Sequence, residues 1–230
     1  MIDVTGYDFL DFGTGYGGCY DFAREKLGGR IGLGFEFLRH RVVALKKEGY
    51  NCHLADITKI SFPKKSVRFI TISHVLEHLP NLKEVEKVIN MAINTAAEFV
   101  FIEGPSFDFD DMLKQHGLKF YWVGWTNHPS HVTTGLIKQI AKHNKVHRYD
   151  LLVEQPLISD SASVDIVPLK ANAGAKYDPV AYGPKPMVVF DKPIFRSFVC
   201  FLWLKPVEER LKLLGARKRF TMHESGVFHP

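Results

Sequence analysis

The feature that most constrains this chain is an apolar run that ends in a glycine-dense turn and passes directly into a helix. Tyr7–Phe12 is short and mostly apolar. Gly13, Gly15, Gly17 and Gly18 follow it, and Phe22, Ala23 and Leu27 then recur at helical spacing until Gly28-Gly29. A buried strand feeding a tight turn and then a helix opens a βαβ unit. The alternation continues. Ile31–Phe35 reads as a strand ending at Glu36, Leu38–Glu48 as a helix stopped by Gly49, and Tyr50–Leu54 as a strand running up to Asp56. Val67–Ser73 is a further strand, Leu82–Ala97 a helix with Val85, Val88, Ile89, Ala92 and Ile93 on one face, and Glu98–Ile102 a strand closed by Glu103, Gly104 and Pro105. Strands separated by single helices at this spacing predict an α/β fold, doubly wound around a mostly parallel sheet, with helices on both faces.

The pattern then changes. Residues 106–130 form an aromatic, histidine-bearing stretch, Val132–His143 returns to helical spacing, and Lys145–Glu154 and Phe195–Leu204 read as two more strands. Between those strands lies a long segment rich in Pro, Gly, Ser and Ala. A connection of that length inside a compact domain is usually functional. With 230 residues, 46% of them hydrophobic and 24% charged, the chain has material for one domain with a real core. The expected organisation is a single domain over 1–204 with insertions at about 106–130 and 155–193, then a basic tail over 205–230 read as a solvated helix end or frayed terminus. Cys19, Cys52 and Cys200 are widely spaced, which suits a reducing cytoplasm and argues against a disulfide framework. No apolar stretch approaches the ~20 residues of a membrane span. A formal charge of +5 is modest, so nucleic acid is not the expected partner, and no oligomeric state is indicated.

Chemistry concentrates at the predicted strand ends. Gly13, Gly15 and Gly18 satisfy a G-x-G-x-x-G fingerprint with Glu36 downstream, whereas the absence of a Gly-Lys-Ser/Thr sequence excludes a Walker loop. Asp11 discriminates between ligands. A carboxylate just ahead of the glycines would repel a dinucleotide pyrophosphate but suits S-adenosylmethionine, which carries a sulfonium and an ammonium and no phosphate. Glu36 could accept hydrogen bonds from ribose hydroxyls and Asp56 one from the adenine amino group. Three acids at successive strand ends line the crevice where open α/β sheets bind ligands.

Asp11–Gly17 resembles the E/D-x-G-x-G-x-G motif of the class I, Rossmann-like S-adenosylmethionine-dependent methyltransferases, and Ser73–Asn81 resembles the VLEH segment after their fourth strand. The resemblance implies a seven-stranded sheet with an antiparallel last strand and puts the chain in the VLEH-type small-molecule branch. It implies that Asp11, Gly13, Thr14, Gly15 and Gly17 surround the methionine part of the cofactor, that Glu36 with Phe37 meets ribose and adenine, and that Asp56 with Ile57 meets adenine. Ser73 and His74 then lie beside the reactive methyl. Two departures stand out: only six residues precede the first strand, where relatives have covering helices, and Val67-Arg68-Phe69 lacks an acid that many relatives carry. The cover over the site must come from elsewhere, for which residues 106–130 and 155–193 are the candidates.

His74, His128 and His131 are the candidate proton acceptors, because an unperturbed imidazole titrates near ~6.5. Glu103 and Asp108 are further polar candidates, and Phe120, Tyr121, Trp122 and Trp125 either wall a pocket or pack on the sheet. His74–His78 also spells H-x-x-E-H, a zinc-peptidase motif that needs one continuous helix; Pro80 and the preceding strand argue against it. Metal-assisted transfer would draw on His74, Glu77, His78, His128 and His131, but Glu77 and His78 read equally as packing and capping groups, and the expected site holds no metal. The chain lacks the Asn/Asp-Pro-Pro-aromatic, Pro-Cys and C-x-x-x-C-x-x-C signatures of base-amine, pyrimidine-carbon and radical methylation. The expected activity is transfer of the methyl of S-adenosylmethionine to an oxygen or nitrogen of a small molecule, leaving S-adenosylhomocysteine. An RNA or protein methyltransferase and a non-catalytic partner subunit of the same fold are the alternatives.

Overall fold

The computed structural model describes residues 1–172 and 174–228. Its centre is an eight-stranded sheet. In chain order the elements begin with β1 (Phe9–Phe12), α1 (Gly18–Lys26), β2 (Gly32–Glu36), α2 (Arg39–Lys47), β3 (Cys52–Leu54), β4 (Val67–Ser73), α3 (Leu82–Thr95) and β5 (Ala96–Pro105). They continue with α4 (Asp110–Gln115), β6 (Leu118–Phe120), α5 (Thr134–His143), β7 (Arg148–Glu154), β8 (Ile158–Asp160) and β9 (Ile166–Pro168). The last are α6 (Pro179–Tyr182), β10 (Val189–Ile194), β11 (Ser197–Trp203), α7 (Arg210–Leu214) and β12 (Phe220–Val227).

The sheet order is β12-β7-β11-β5-β4-β1-β2-β3. Strands β1 to β5 pair in parallel, and β11 enters antiparallel between β5 and β7. The expected count of seven strands is corrected to eight. The additional strand, β12, is built by the tail and pairs antiparallel with β7 from Phe220↔Glu154 to Val227↔Arg148. The tail is therefore neither a solvated helix end nor frayed.

The helices follow from their sequences. Asn81 caps α3 by accepting from the Glu84 amide at 3.0 Å, and Thr133 caps α5 by accepting from the Leu136 amide at 3.1 Å. Val85, Val88, Ile89 and Ala92 on α3 are fully buried against one face of the sheet, with Leu10, Phe12, Ile70, Ile72, Val100 and Ile102. The opposite face is aromatic. Phe9, Phe69 and Phe99 stack across β1, β4 and β5 with centroids 5.2 and 4.7 Å apart, which supplies cross-strand cohesion beyond burial alone. On that face α1 contributes Phe22 and Ala23, and α7 contributes Leu213 and Leu214. The tail thus covers part of this aromatic face.

Asp150 anchors it. This fully buried carboxylate accepts two hydrogen bonds of 2.6 Å from Arg210 and one of 2.6 Å from Trp203 Nε1. Burial alone would raise its pKa, but these partners outweigh burial and hold it low.

The two insertions join into one lobe. β6 pairs with β9 and β8 with β10, around a separate core of Phe107, Leu113, Leu118, Phe120, Trp122, Ile158, Ile166, Phe190 and Ile194. Arg196 ties the lobe to the sheet, with Glu154 and Asp165 each at 3.4 Å.

Candidate active site

The parallel topology brings the carboxyl ends of β1, β2 and β4 to one rim. Asp11, in β1, is fully buried. Its Oδ1 accepts from the Thr71 hydroxyl at 2.6 Å, while Oδ2 is buried with no partner among the described residues. Burial pushes its carboxyl up to about 7, against the opposing pull of the Thr71 hydrogen bond. Beyond it the turn is fastened to β2, since the Gly13 and Thr14 amides both donate to the Phe35 carbonyl, at 2.8 and 3.1 Å. Gly13 has φ +70, and a Cβ there would sit 2.3 Å from a Val75 methyl; Gly17 has φ +91 and leaves 2.8 Å to the Tyr50 ring. Only glycine holds this backbone at such approach.

Glu36 closes the cleft on the β2 side. Its two oxygens accept from the Gly15 amide at 2.9 Å and the Leu38 amide at 2.8 Å, and an ionised carboxylate keeps further lone pairs free for a ligand. The other expected cofactor residues divide. Phe37 is 69% exposed beside Glu36, whereas Ile57 is buried in the main core. Thr14 turns inward, its hydroxyl donating to the Asp11 carbonyl at 3.2 Å. Asp56 uses Oδ1 for the amide and hydroxyl of Thr58, at 3.0 and 2.7 Å, and Oδ2 for Lys59 at 2.9 Å. It acts as the cap of its own turn.

At the end of β4, Ser73 donates to Glu103 Oε2 at 3.1 Å, and the His74 amide donates to the Glu103 carbonyl at 2.9 Å. The same Glu103 oxygen pairs with Arg217 of the tail. The Arg217 guanidinium lies 3.9 Å from the Phe22 ring centroid, and its buried Nε has no partner among the described residues. Burial raises the Cys19 thiol well above its ordinary range, as do the negative charges of Asp11 and Glu103, while Arg217 opposes them. Sequence reasoning treated Arg217 as part of a solvated basic run and missed its place.

A cavity of about 680 Å³ opens beside His74. Its lining includes Glu77, His78, Trp122, Trp125 and His128 together with Glu154, Asp165, Lys176, Arg196 and Arg219. His74 Nδ1 lies 3.4 Å from Glu77 Oε1, and this partnership raises the His74 pKa. His128 is buried, and desolvation lowers its pKa. His131 stands apart: its Nδ1 meets Asp110 at 2.7 Å and its ring stacks on Phe107. Asp108 is occupied in capping α5, accepting from the Thr134 amide and hydroxyl at 3.0 and 2.8 Å. The aromatic stretch serves both expected ends, with Phe120 in the lobe core and Tyr121, Trp122 and Trp125 on the cavity.

Known structures match this geometry as a fold. The chain is similar to a SAM-dependent methyltransferase from Archaeoglobus fulgidus (15% identity, 85% of each chain covered, TM-score 0.56). It is also similar to a SAM-dependent methyltransferase from Thermotoga maritima described as a possible histamine N-methyltransferase (11% identity, 86% of this chain and 83% of that one, TM-score 0.52). A third is a SAM-dependent methyltransferase from Methanosarcina mazei (11% identity, 85% and 91% covered, TM-score 0.52). The fold is that of the class I S-adenosylmethionine-dependent methyltransferases. No protein-family model and no curated protein matches the chain.

Proposed function

We propose that this chain is a methyltransferase that uses S-adenosylmethionine and methylates an oxygen or nitrogen of a small molecule. The observation that carries the reading is the pair of unsatisfied buried groups at the rim, Asp11 Oδ2 and Arg217 Nε. One seeks a donor and the other an acceptor, which is the demand an α-amino-acid head group meets with its ammonium and carboxylate. The glycine turn gives the backbone room for a ligand there, and Glu36 and the exposed Phe37 ring suit a ribose and an adenine. These residues fit the cofactor, with Thr14 and Ile57 supporting the cleft from beneath and Asp56 shaping its far wall.

Bound S-adenosylmethionine supplies an electrophilic methyl carbon. The protein's share is positioning, which for well-oriented reactants contributes roughly 7–11 kcal/mol. His74, which directly follows Ser73 at the end of β4, borders the cavity. Glu77 orients the His74 ring through Nδ1, leaving Nε2 to take the acceptor's proton. Trp122 and Trp125 offer flat apolar walls that hold a small acceptor and exclude water.

The cavity volume falls within the ~300–1,000 Å³ of small-ligand sites, which favours a small acceptor over a macromolecule. Two basic residues of the tail are engaged inward, Arg210 on Asp150 and Arg217 on Glu103, which reduces what the tail can offer as a phosphate-binding arm. Among the described residues no helix is long and apolar enough to cross a membrane. Equilibrium dialysis with radiolabelled S-adenosylmethionine tests the reading. It expects saturable binding at one site per chain, displaced by S-adenosylhomocysteine and indifferent to NAD. Absence of binding, or displacement by NAD, overturns it.

A further inference from the structure

Glu77, His78 and His128 share one corner of the cavity. Each can offer one ligand atom, a carboxylate oxygen or a ring nitrogen, and the three atoms lie within 4.8 Å of one another. We propose that they form a binding site for a single divalent transition-metal ion, with zinc or ferrous iron the chemically matched occupants.

Four observations carry this. First, His128 is only 6% exposed and its Nδ1 has no hydrogen-bond partner among the described residues; a buried polar atom left in that state calls for a partner. Second, His78 Nδ1 lies 2.6 Å from the Asn127 carbonyl. A carbonyl only accepts, so Nδ1 carries the proton and Nε2 keeps its lone pair, the tautomer in which outer-shell carbonyls hold metal-binding histidines. Third, Glu77 is 3% exposed, and His74 is its only ionic partner among the described residues. Oε1 faces His74, so Oε2 is left for a cation.

The fourth observation is that the two segments presenting these groups are fastened together. The Ser130 amide donates to the Glu77 carbonyl at 3.3 Å, and the Ser130 hydroxyl to the Leu79 carbonyl at 2.8 Å. Two bonds of roughly 2.0–2.2 Å keep any pair of ligands within about 4.4 Å, so only a slight closing of the side chains is required. Two imidazoles and one carboxylate favour zinc or iron over magnesium or calcium, which prefer all-oxygen sets. Three protein ligands leave coordination positions facing the cavity.

Metal retention can be read with no methyl donor present, so this site stands or falls separately from the methyl-transfer reading. The full chain, purified without a histidine tag and stripped with chelator, is titrated with Zn²⁺ and with Co²⁺ as a visible reporter, and retained metal is counted after dialysis. One equivalent per chain is expected, with a d–d absorption band from bound Co²⁺. His128→Ala and Glu77→Gln should each weaken retention by more than the ~10–100-fold that loss of an outer partner brings, whereas His116→Ala, at an exposed and remote histidine, should leave it unchanged. Circular dichroism checks folding of each variant. Because His78 is exposed, His78→Asn supplies the same test should either buried substitution fail to fold. A parent chain that retains no ion, or folded His78 or His128 variants that retain as much as the parent, overturns the proposal.

Discussion

The cleft at Asp11 and the cavity at His128 are assembled in different ways. One βαβ unit provides Asp11, the glycine turn and Glu36, all within β1, α1 and β2, and the turn's amides are bonded directly to β2. The cavity gathers side chains from the turn after β4, from both insertions, from β7 and from the tail. Its walls depend on docking of the lobe through Arg196 and of the tail through Asp150. A cleft held by neighbouring backbone is set as soon as the strands pair. A cavity held by distant ion pairs can be loosened without disturbing the sheet centre.

The largest effect should come from separating the two regions at the tail. Asp150→Ala leaves the Arg210 guanidinium and the Trp203 indole without their carboxylate, and breaking a buried pair of this kind costs about 3–5 kcal/mol. Urea denaturation should show that loss, and limited proteolysis should cut first within residues 205–228.

Next comes the cleft. Gly13→Val forces a side chain against Val75 at a backbone angle that costs about 1–2 kcal/mol for an L residue. We expect cofactor binding by calorimetry to fall below detection while the lobe remains folded. A smaller effect is expected at the seam between the regions: Arg217→Ala removes a charge-assisted donor, so cofactor affinity should drop by about ten- to a hundredfold. The smallest lies in the cavity wall. Trp125→Phe should raise the KM for an acceptor a few-fold while leaving cofactor affinity unchanged, which calorimetry and steady-state rates together would show.

The same contrast explains what could be read from the sequence. Strand, turn and helix in the first half are local patterns, so β1 to β5 with their helices and the Asp11–Gly17 turn were legible. Glu103 with Arg217, and Asp150 with Arg210, are contacts between residues far apart in the chain, and nothing in their local spacing announces them. β12 was hidden for a related reason: Phe220–Val227 carries Thr, His, Glu and Ser and has little apolar alternation, because its place depends on pairing with β7. Asp56 and His131 were singled out from residue type and position, and the structure gives each of them its own partners. The Asp-Ile-Thr-Lys order after β3 already contains the partners that occupy Asp56. His131 is turned away by Asp110 and Phe107, which precede it by many residues.

Asp11 makes the central claim measurable through pH. In the folded protein burial pushes its carboxyl up to about 7, from the ordinary value of 3.8 that the unfolded chain keeps. The folded state therefore holds the extra proton between those values, and this group's contribution to stability declines as pH rises across that window. A cationic ligand needs the ionised form, so binding must expel the proton. Calorimetry of S-adenosylmethionine binding between pH 5.5 and pH 8.5 (about three units, spanning the titration) reads this directly. The parent chain should gain affinity by nearly tenfold per unit below pH 7, level off, and lose affinity again as the ligand's own α-ammonium deprotonates at about 8, while Asp11→Asn binds weakly with no slope below pH 7. Equal affinity and equal slope in parent and variant would contradict the placement of the cofactor's positive charge against Asp11.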